Sequence, residues 1–255
     1  MDIKGSCIVV TGAAQGIGKA LVQRFATLGA SHVICADIDR EGAQDVAAQT
    51  GGTAFAVDVR DESSIKDLIE TVEDTIAPID LFCSNAGILT MGGFEVANEE
   101  WQKIWDINVM SHVWAARHLV PRMMIRGGGH MLNTASAAGL LNQIGAAPYG
   151  VTKHAAVGFA EWLAITYGDQ GLGVSVLCPQ AVRSQMTKGF EGSVASVDGM
   201  LEPEIVADFC VNAIENNEFL VLPHPQVKDY MQAKTANYGR WITGMQKLRD
   251  RFSGR

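Results

Sequence analysis

Basic charge is scarce in this sequence. Twenty Lys and Arg stand against 28 Asp and Glu, which leaves a net charge of −8 over 255 residues. A general nucleic-acid binder, or a protein held on an anionic membrane by basic patches, needs the opposite balance. Long apolar runs are lacking too: none approaches the ~20 residues of a membrane-spanning helix. The five cysteines, Cys7, Cys35, Cys83, Cys178 and Cys210, are far apart and mostly lie inside apolar runs. That is the usage expected of buried thiols in a reducing compartment. There is no CxxC, and the six histidines show neither HxxxH nor HExxH spacing, so no metal site is expected. Met1 to Gly5 runs straight into a strand pattern with no signal peptide, and a cytoplasmic chain is the expectation.

What is present suits a sizeable core: 47% of the residues are hydrophobic and 19% charged. Residues 6–10 read as a short buried strand. The turn Thr11-Gly-Ala-Ala-Gln-Gly-Ile-Gly18 follows at once, and then a helical pattern from Lys19 to Leu28. Strand, glycine turn and helix form the context a dinucleotide site requires. Gly12 suits the tight turn, Gly16 a close approach to pyrophosphate and Gly18 helix–strand packing, although the spacing is GxxxGxG rather than GxGxxG. Gln15 and Ile17 complete the turn. The helix N-terminus offers amides and a positive dipole end to phosphates.

The next strand ends at Asp37, nineteen residues after Gly18. A carboxylate there suits the ribose hydroxyls of NAD and repels a 2′-phosphate. Ile38 rather than an arginine follows it, so NAD is the expected cofactor. Strands over 53–58 and 79–84 lead to Asp58-Val59 and Asn85-Ala86-Gly87. Asp61 is read as a helix N-cap, and Asn98 as the cap of one long helix from Glu99 to about Ile125. A fifth strand over 130–135 delivers Ser136, a sixth over 174–178 delivers Pro179, and a seventh spans 219–222. Alternating strands and helices predict an α/β fold, a single Rossmann-type doubly wound parallel sheet of about seven strands with helices on both faces. One domain over 1–255 is expected. In open parallel sheets ligands bind beyond the carboxyl ends of the strands, where these residues fall.

Tyr149 and Lys153 are four apart and share one face of a helix. Tyrosine is a weak base, with an ordinary pKa of roughly 10, and an adjacent ammonium would lower it towards working pH. Ser136 supplies a hydroxyl thirteen residues upstream. Alone, YxxxK also suits a solvated helix face.

With TGAAQGIG (11–18), Asp37, Asp58-Val59, Asn85-Ala-Gly87, Asn108, Ser136, YGVTK (149–153) and Pro179 in one order and spacing, the sequence resembles the short-chain dehydrogenase/reductase family over roughly residues 3–222. The resemblance implies an NAD-dependent exchange of a secondary alcohol and a ketone, with Tyr149 as base, Lys153 lowering its pKa and binding the nicotinamide ribose, and Ser136 holding the substrate oxygen. It implies that Asn108 holds a relay water. It places Pro179, Val182 and Ser184 near the nicotinamide carboxamide, and it implies a homotetramer or homodimer. Gln180 departs from the family's usual glycine, which leaves the backbone path there open. A non-catalytic redox sensor is the rival reading.

Residues 185–202 are expected to form a mobile lid. Leu140, Leu141, Met186, Phe190 and Met200 are the candidates for an apolar pocket, with Arg183 and Lys188 as possible carboxylate partners. The tail over 224–255 is helical and aromatic. It packs on the body, covers the substrate mouth or meets a partner subunit, and its pattern does not choose among these. Nor does the Ala156, Phe159, Ala160, Leu163 face of the Tyr149 helix choose between core packing and a subunit interface.

Overall fold

The computed structural model describes residues 1–189 and 192–252. Seven parallel strands form one sheet: β1 (Cys7–Thr11), β2 (His32–Asp37), β3 (Thr53–Ala56), β4 (Leu81–Ser84), β5 (Gly129–Thr134), β6 (Leu172–Leu177) and β7 (Leu220–Val221), in the order β3-β2-β1-β4-β5-β6-β7. The order reverses between β1 and β4, and a crevice opens there beyond the strand ends. The central strands are buried on both faces, which is why they read as continuous apolar runs rather than alternating ones.

Side chains still alternate in destination. Cys7 and Val9 of β1 enter the core under α3 (Glu62–Thr75), α5 (Ser111–Ile125) and α7 (Ala147–Tyr167). Ile8 and Val10 enter the core under α1 (Gly16–Thr27), α2 (Arg40–Thr50) and α8 (Pro203–Asn216). Burying one such Val or Ile contributes about 1.5–3 kcal/mol. Ala156, Ala160 and Leu163 of α7 are fully buried in the first core, so that face serves core packing within the chain, while Trp162 and Ile165 point outward.

Asp61 caps α3 through Ser63 N, as expected. Asn98 does not cap its helix. Ala97 occupies that position, and Asn98 begins α4 (Asn98–Trp105) without a side-chain cap bond. The long helix expected from Glu99 to Ile125 is also interrupted, by a π turn over Asp106–Met110. Such a turn inserts one residue into the i→i−4 ladder and re-aims the side chains around it.

The tail forms α9 (Gln226–Ala236) and α10 (Tyr238–Phe252). Val227 is fully buried against Ala137 and Leu141, with Tyr230, Met231 and Trp241 packed around them. This cluster docks the tail on the body beside α6 (Ala138–Leu141).

Two buried histidines make the fold acid-sensitive. His112 Nδ1 lies 2.9 Å from Asn133 Oδ1, and His130 Nε2 lies 3.0 Å from Ser175 Oγ. Burial lowers each pKa from 6.5 to about 4, with the Lys153 charge adding to the effect at His112. The unfolded chain therefore binds protons that the folded chain refuses between those values. Stability is lost as pH falls from about 6.5 towards 4, by about 3 kcal/mol per histidine. Thermal unfolding across that range, with histidine-ring NMR titration, checks this. A ring titrating near its unperturbed value of about 6.5 contradicts it.

Candidate functional site

Two cavities meet beyond the carboxyl ends of the strands. The first, of about 500 Å³, is lined by Gly12, Gln15, Gly16, Ile17, Asp37, Ile38, Asp58, Val59, Asn85, Ala86, Gly87, Ser136, Tyr149, Lys153, Pro179, Val182 and Ser184, among others. These are all but two of the residues expected at the site. The exceptions are Gly18 and Asn108. Gly18 is buried, and a Cβ there would lie 1.9 Å from Gly12 O, so it packs α1 against β1 rather than facing the cavity. Asn108 lies in the π turn behind the cavity wall.

The cradle has the chemistry a dinucleotide requires. Gly12 adopts φ +67°, and a Cβ there would lie 2.9 Å from Ala86 Cα. Gln15 precedes α1 without a side-chain cap bond, and the first turn of α1 holds no acidic residue. Its amides are therefore available to phosphate oxygens. Thr11 Oγ1 accepts from Asn85 N at 2.9 Å and Ala86 N at 3.1 Å, and Asn85 Nδ2 donates to Thr11 O at 3.0 Å. These bonds join the ends of β1 and β4 at the crevice. Asp37 accepts from Ala14 N and Asp39 N, each at 2.9 Å. Arg60 also lines the cleft, but its guanidinium grips Asp58 at 2.6–3.0 Å, which holds the Asp58 carboxyl below its ordinary pKa.

Lys153 is buried and donates to Thr134 O at 2.9 Å, with its ammonium 5.7 Å from the Tyr149 ring centroid. Burial lowers its pKa to about 8. The phenol of Tyr149 is pushed up by burial, with the Ser136 hydroxyl drawing it down. The lowering expected from Lys153 does not arise here: the ammonium is turned to the Thr134 carbonyl, and desolvation of a phenolate is the largest effect. Ser136 Oγ accepts from Ala138 N at 3.1 Å and faces Pro179 O at 3.4 Å.

Asn108 clamps the chain after β4. Its Oδ1 accepts from Ile88 N at 2.9 Å, and its Nδ2 donates to Ile88 O at 3.0 Å and Thr152 Oγ1 at 3.2 Å. A Cβ on Gly87 would lie 3.3 Å from Asn108 Oδ1 and 3.4 Å from Lys153 Nζ, so the two side chains border one small space.

The second cavity, of about 930 Å³, shares Ser136, Tyr149, Gln180, Met186 and Thr187 with the first. Its walls come from Leu89 and Met91, from Asn142–Ile144, from 192–195 and Val197, and from the tail, among others. The tail thus both packs on the body and walls this mouth, two of the three roles its pattern left open. Of the expected pocket residues, Leu141 and Met186 line it. Leu140 packs into the core and Met200 does not reach the cavity. Phe190 lies outside the described residues. Arg183 is paired with Glu202 at 2.6 Å, and Lys188 lines neither cavity.

Segment 185–202 is tied to the body. Arg183 N donates to Leu201 O, Leu201 N to Ala181 O, and Ala181 N to Ala195 O, at 2.9–3.1 Å. Gln180 adds a side-chain tie that sequence reasoning missed. Its Nε2 donates to Asp198 Oδ2 at 2.9 Å, and Tyr230 Oη donates to Asp198 Oδ1 at 3.1 Å. The departure from glycine thus links this segment to the tail. Thr134 and Thr187, also missed, act through the Thr134 backbone carbonyl, which accepts from Lys153 Nζ, and through the Thr187 hydroxyl, which donates to Val182 O, and no residue spacing announces either.

The model for "short chain dehydrogenase" matches residues 6–193. The 1-deoxy-11-beta-hydroxypentalenate dehydrogenase of Streptomyces exfoliatus is 34% identical over 238 residues, 89% of this chain and 86% of that protein. A short-chain dehydrogenase/reductase from Burkholderia phymatum, solved with NAD, superposes with a TM-score of 0.85 at 24% identity, covering 94% of this chain and 96% of its own. The 3-ketoacyl-(acyl-carrier-protein) reductase of Brucella melitensis, solved with NADH, superposes with a TM-score of 0.80 at 25% identity, covering 87% and 98%. The glycine turn at the β1/β4 switch point, the buried Lys153 beside Tyr149, and these likenesses together place the chain in the short-chain dehydrogenase/reductase family, as an oxidoreductase acting on alcohols.

Proposed function

We propose that the protein is an NAD-dependent dehydrogenase that interconverts an apolar, cyclic or aryl secondary alcohol and its ketone. The observation that carries this reading is the seam between the cavities, where Ser136 and Tyr149 face both. An alcohol lying in the larger cavity meets its catalytic groups there and nowhere else along the described walls. When bound in the smaller cavity, the nicotinamide supplies hydride acceptance and return.

The chain's own residues do the rest. Ser136 Oγ holds the substrate oxygen by a hydrogen bond. Tyr149 Oη takes the hydroxyl proton as the carbon is oxidised and gives it back in reduction. Lys153, near the edge of its protonation range, carries charge beside the phenol and holds the ribose. Asn108 keeps the wall at Ile88 in place next to Lys153 and borders the space for a relay water. The apolar walls exclude competing water. The outward Trp162 and Ile165 on α7 suit a subunit contact in a homo-oligomer.

Asp37 supports NAD over NADP. Its carboxylate lines the cleft, and Arg60, the cation nearest in function, is committed to Asp58. A 2′-phosphate beside Asp37 would meet like charge at a cost of several kcal/mol. Absorbance at the reduced-nicotinamide band, followed with each cofactor and a panel of apolar secondary alcohols, tests the proposal. NAD is the expected acceptor, and Asp37→Ser is expected to raise kcat/KM for NADP at least about tenfold. Wild-type preference for NADP would overturn the cofactor assignment, and no turnover of any alcohol would overturn the reaction.

A further inference from the structure

The walls of the larger cavity are uneven in charge. The chain carries a net charge of −8, yet among the described residues no Asp or Glu lines this cavity, and Arg240 is the one lining Lys or Arg. Arg240 stands on α10, beside Trp241 and one helical turn from Gly244 and Met245, all of which also line the cavity. Among the described residues its guanidinium has neither an ion pair nor a side-chain hydrogen bond. Its backbone N donates to Asn237 Oδ1 at 2.9 Å. Asp198, which bonds the lining residues Gln180 and Tyr230, has both carboxylate oxygens occupied by them. Arg183 is committed to Glu202, and Lys234 to the Leu140 carbonyl.

We infer that the substrate is a bulky apolar alcohol that also carries a carboxylate, and that Arg240 pairs with this group while the carbinol lies against Ser136 and Tyr149. The physical argument is one of complementarity. An apolar cavity whose described walls hold no acid and a single unpaired guanidinium favours an anion over a neutral ligand of the same skeleton. A planar carboxylate matches the donor fork of arginine. The position on the exposed tail helix makes the pair sensitive to salt. Arg240 is then a specificity-determining residue that takes no part in the chemistry. The inference rests on the dehydrogenase reading for the placement of the carbinol, but not for the carboxylate contact.

Isothermal titration of the NADH-loaded protein separates the two. The probes are lithocholate and 12-hydroxystearate, each compared with its methyl ester. At least one acid is expected to bind about tenfold more tightly than its ester, as a charge-assisted hydrogen bond predicts. The preference is expected to vanish in Arg240→Gln, to return in part in Arg240→Lys, and to shrink as salt is raised. Arg240 is exposed, so these variants leave the core untouched. Equal binding of acid and ester by the wild type, an undiminished preference in Arg240→Gln, or binding of neither acid overturns the inference. Tight acid binding without reduction of NAD by any alcohol counts against the dehydrogenase reading instead and leaves Arg240 as the carboxylate partner.

Discussion

Replacing Tyr149 with phenylalanine is expected to cut turnover about 10³-fold while NADH still binds, because general acid–base catalysis contributes on that order. The substitution removes one oxygen and nothing else of bulk. The ring still lies over the Lys153 ammonium, and Lys153 still donates to Thr134 O. The fold and the cofactor cradle are therefore preserved, and only the proton acceptor is lost. Burial opposes ionisation of this phenol, so oxidation by the wild type is expected to accelerate as pH rises and more of the phenolate form becomes available. Single-turnover kinetics in both directions, with NADH titrations, check the assignment. Substantial turnover by the phenylalanine variant would show that another group moves the proton, and loss of NADH binding would show that the tyrosine is structural.

The second large effect is expected at Gly18. An alanine Cβ there would lie 1.9 Å from Gly12 O and 2.7 Å from Asn85 Nδ2. Neither neighbour is a free side-chain end. Gly12 holds φ +67° in the turn, and Asn85 is bonded to Thr11 O. Relief therefore requires α1 to move off β1, which opens the cradle as it destabilises the core. Gly18→Ala is expected to cost about 3 kcal/mol, the upper range for overpacking, and to lower the melting temperature by about 10 °C. NADH affinity should fall with it. Gly158→Ala on α7 is the control. A Cβ there meets nothing within 4 Å, so this change should stabilise the helix by about 0.5–1 kcal/mol. Equal behaviour of the two variants would mean that the close approach of α1 to β1 is not what Gly18 provides.

Much of the fold was legible before any coordinates. Continuous apolar runs marked the central strands because parallel strands are buried on both faces. The turn after β1, Asp37 and Ser136 could be placed because strand ends are where a parallel sheet binds ligands. Tyr149 and Lys153 could be paired because four residues make about one helical turn. Each of these rests on local periodicity or on the geometry of consecutive elements, and both are written in neighbouring residues.

What lay beyond reach were contacts between segments distant in the chain. The π turn that carries Asn108 cannot be told from a regular helix by its apolar pattern. Asn98 resembles a cap by composition, but the backbone enters its helix one residue earlier. Gln180 reads as a disturbance of the nicotinamide loop by type alone, and its link through Asp198 to Tyr230 exists only in the fold. The direction of the Tyr149 pKa turned on how thoroughly the site excludes water, which spacing does not express. The tail's role depended on docking through Val227, Tyr230 and Trp241. Sequence by itself determined the sheet, the dinucleotide cradle and the Tyr149–Lys153 pair, because local geometry dictates them. Tertiary structure alone decided the second cavity, the absence of acids from its described walls and the position of Arg240, because these arise only where the 192–197 segment and the tail meet the strand ends.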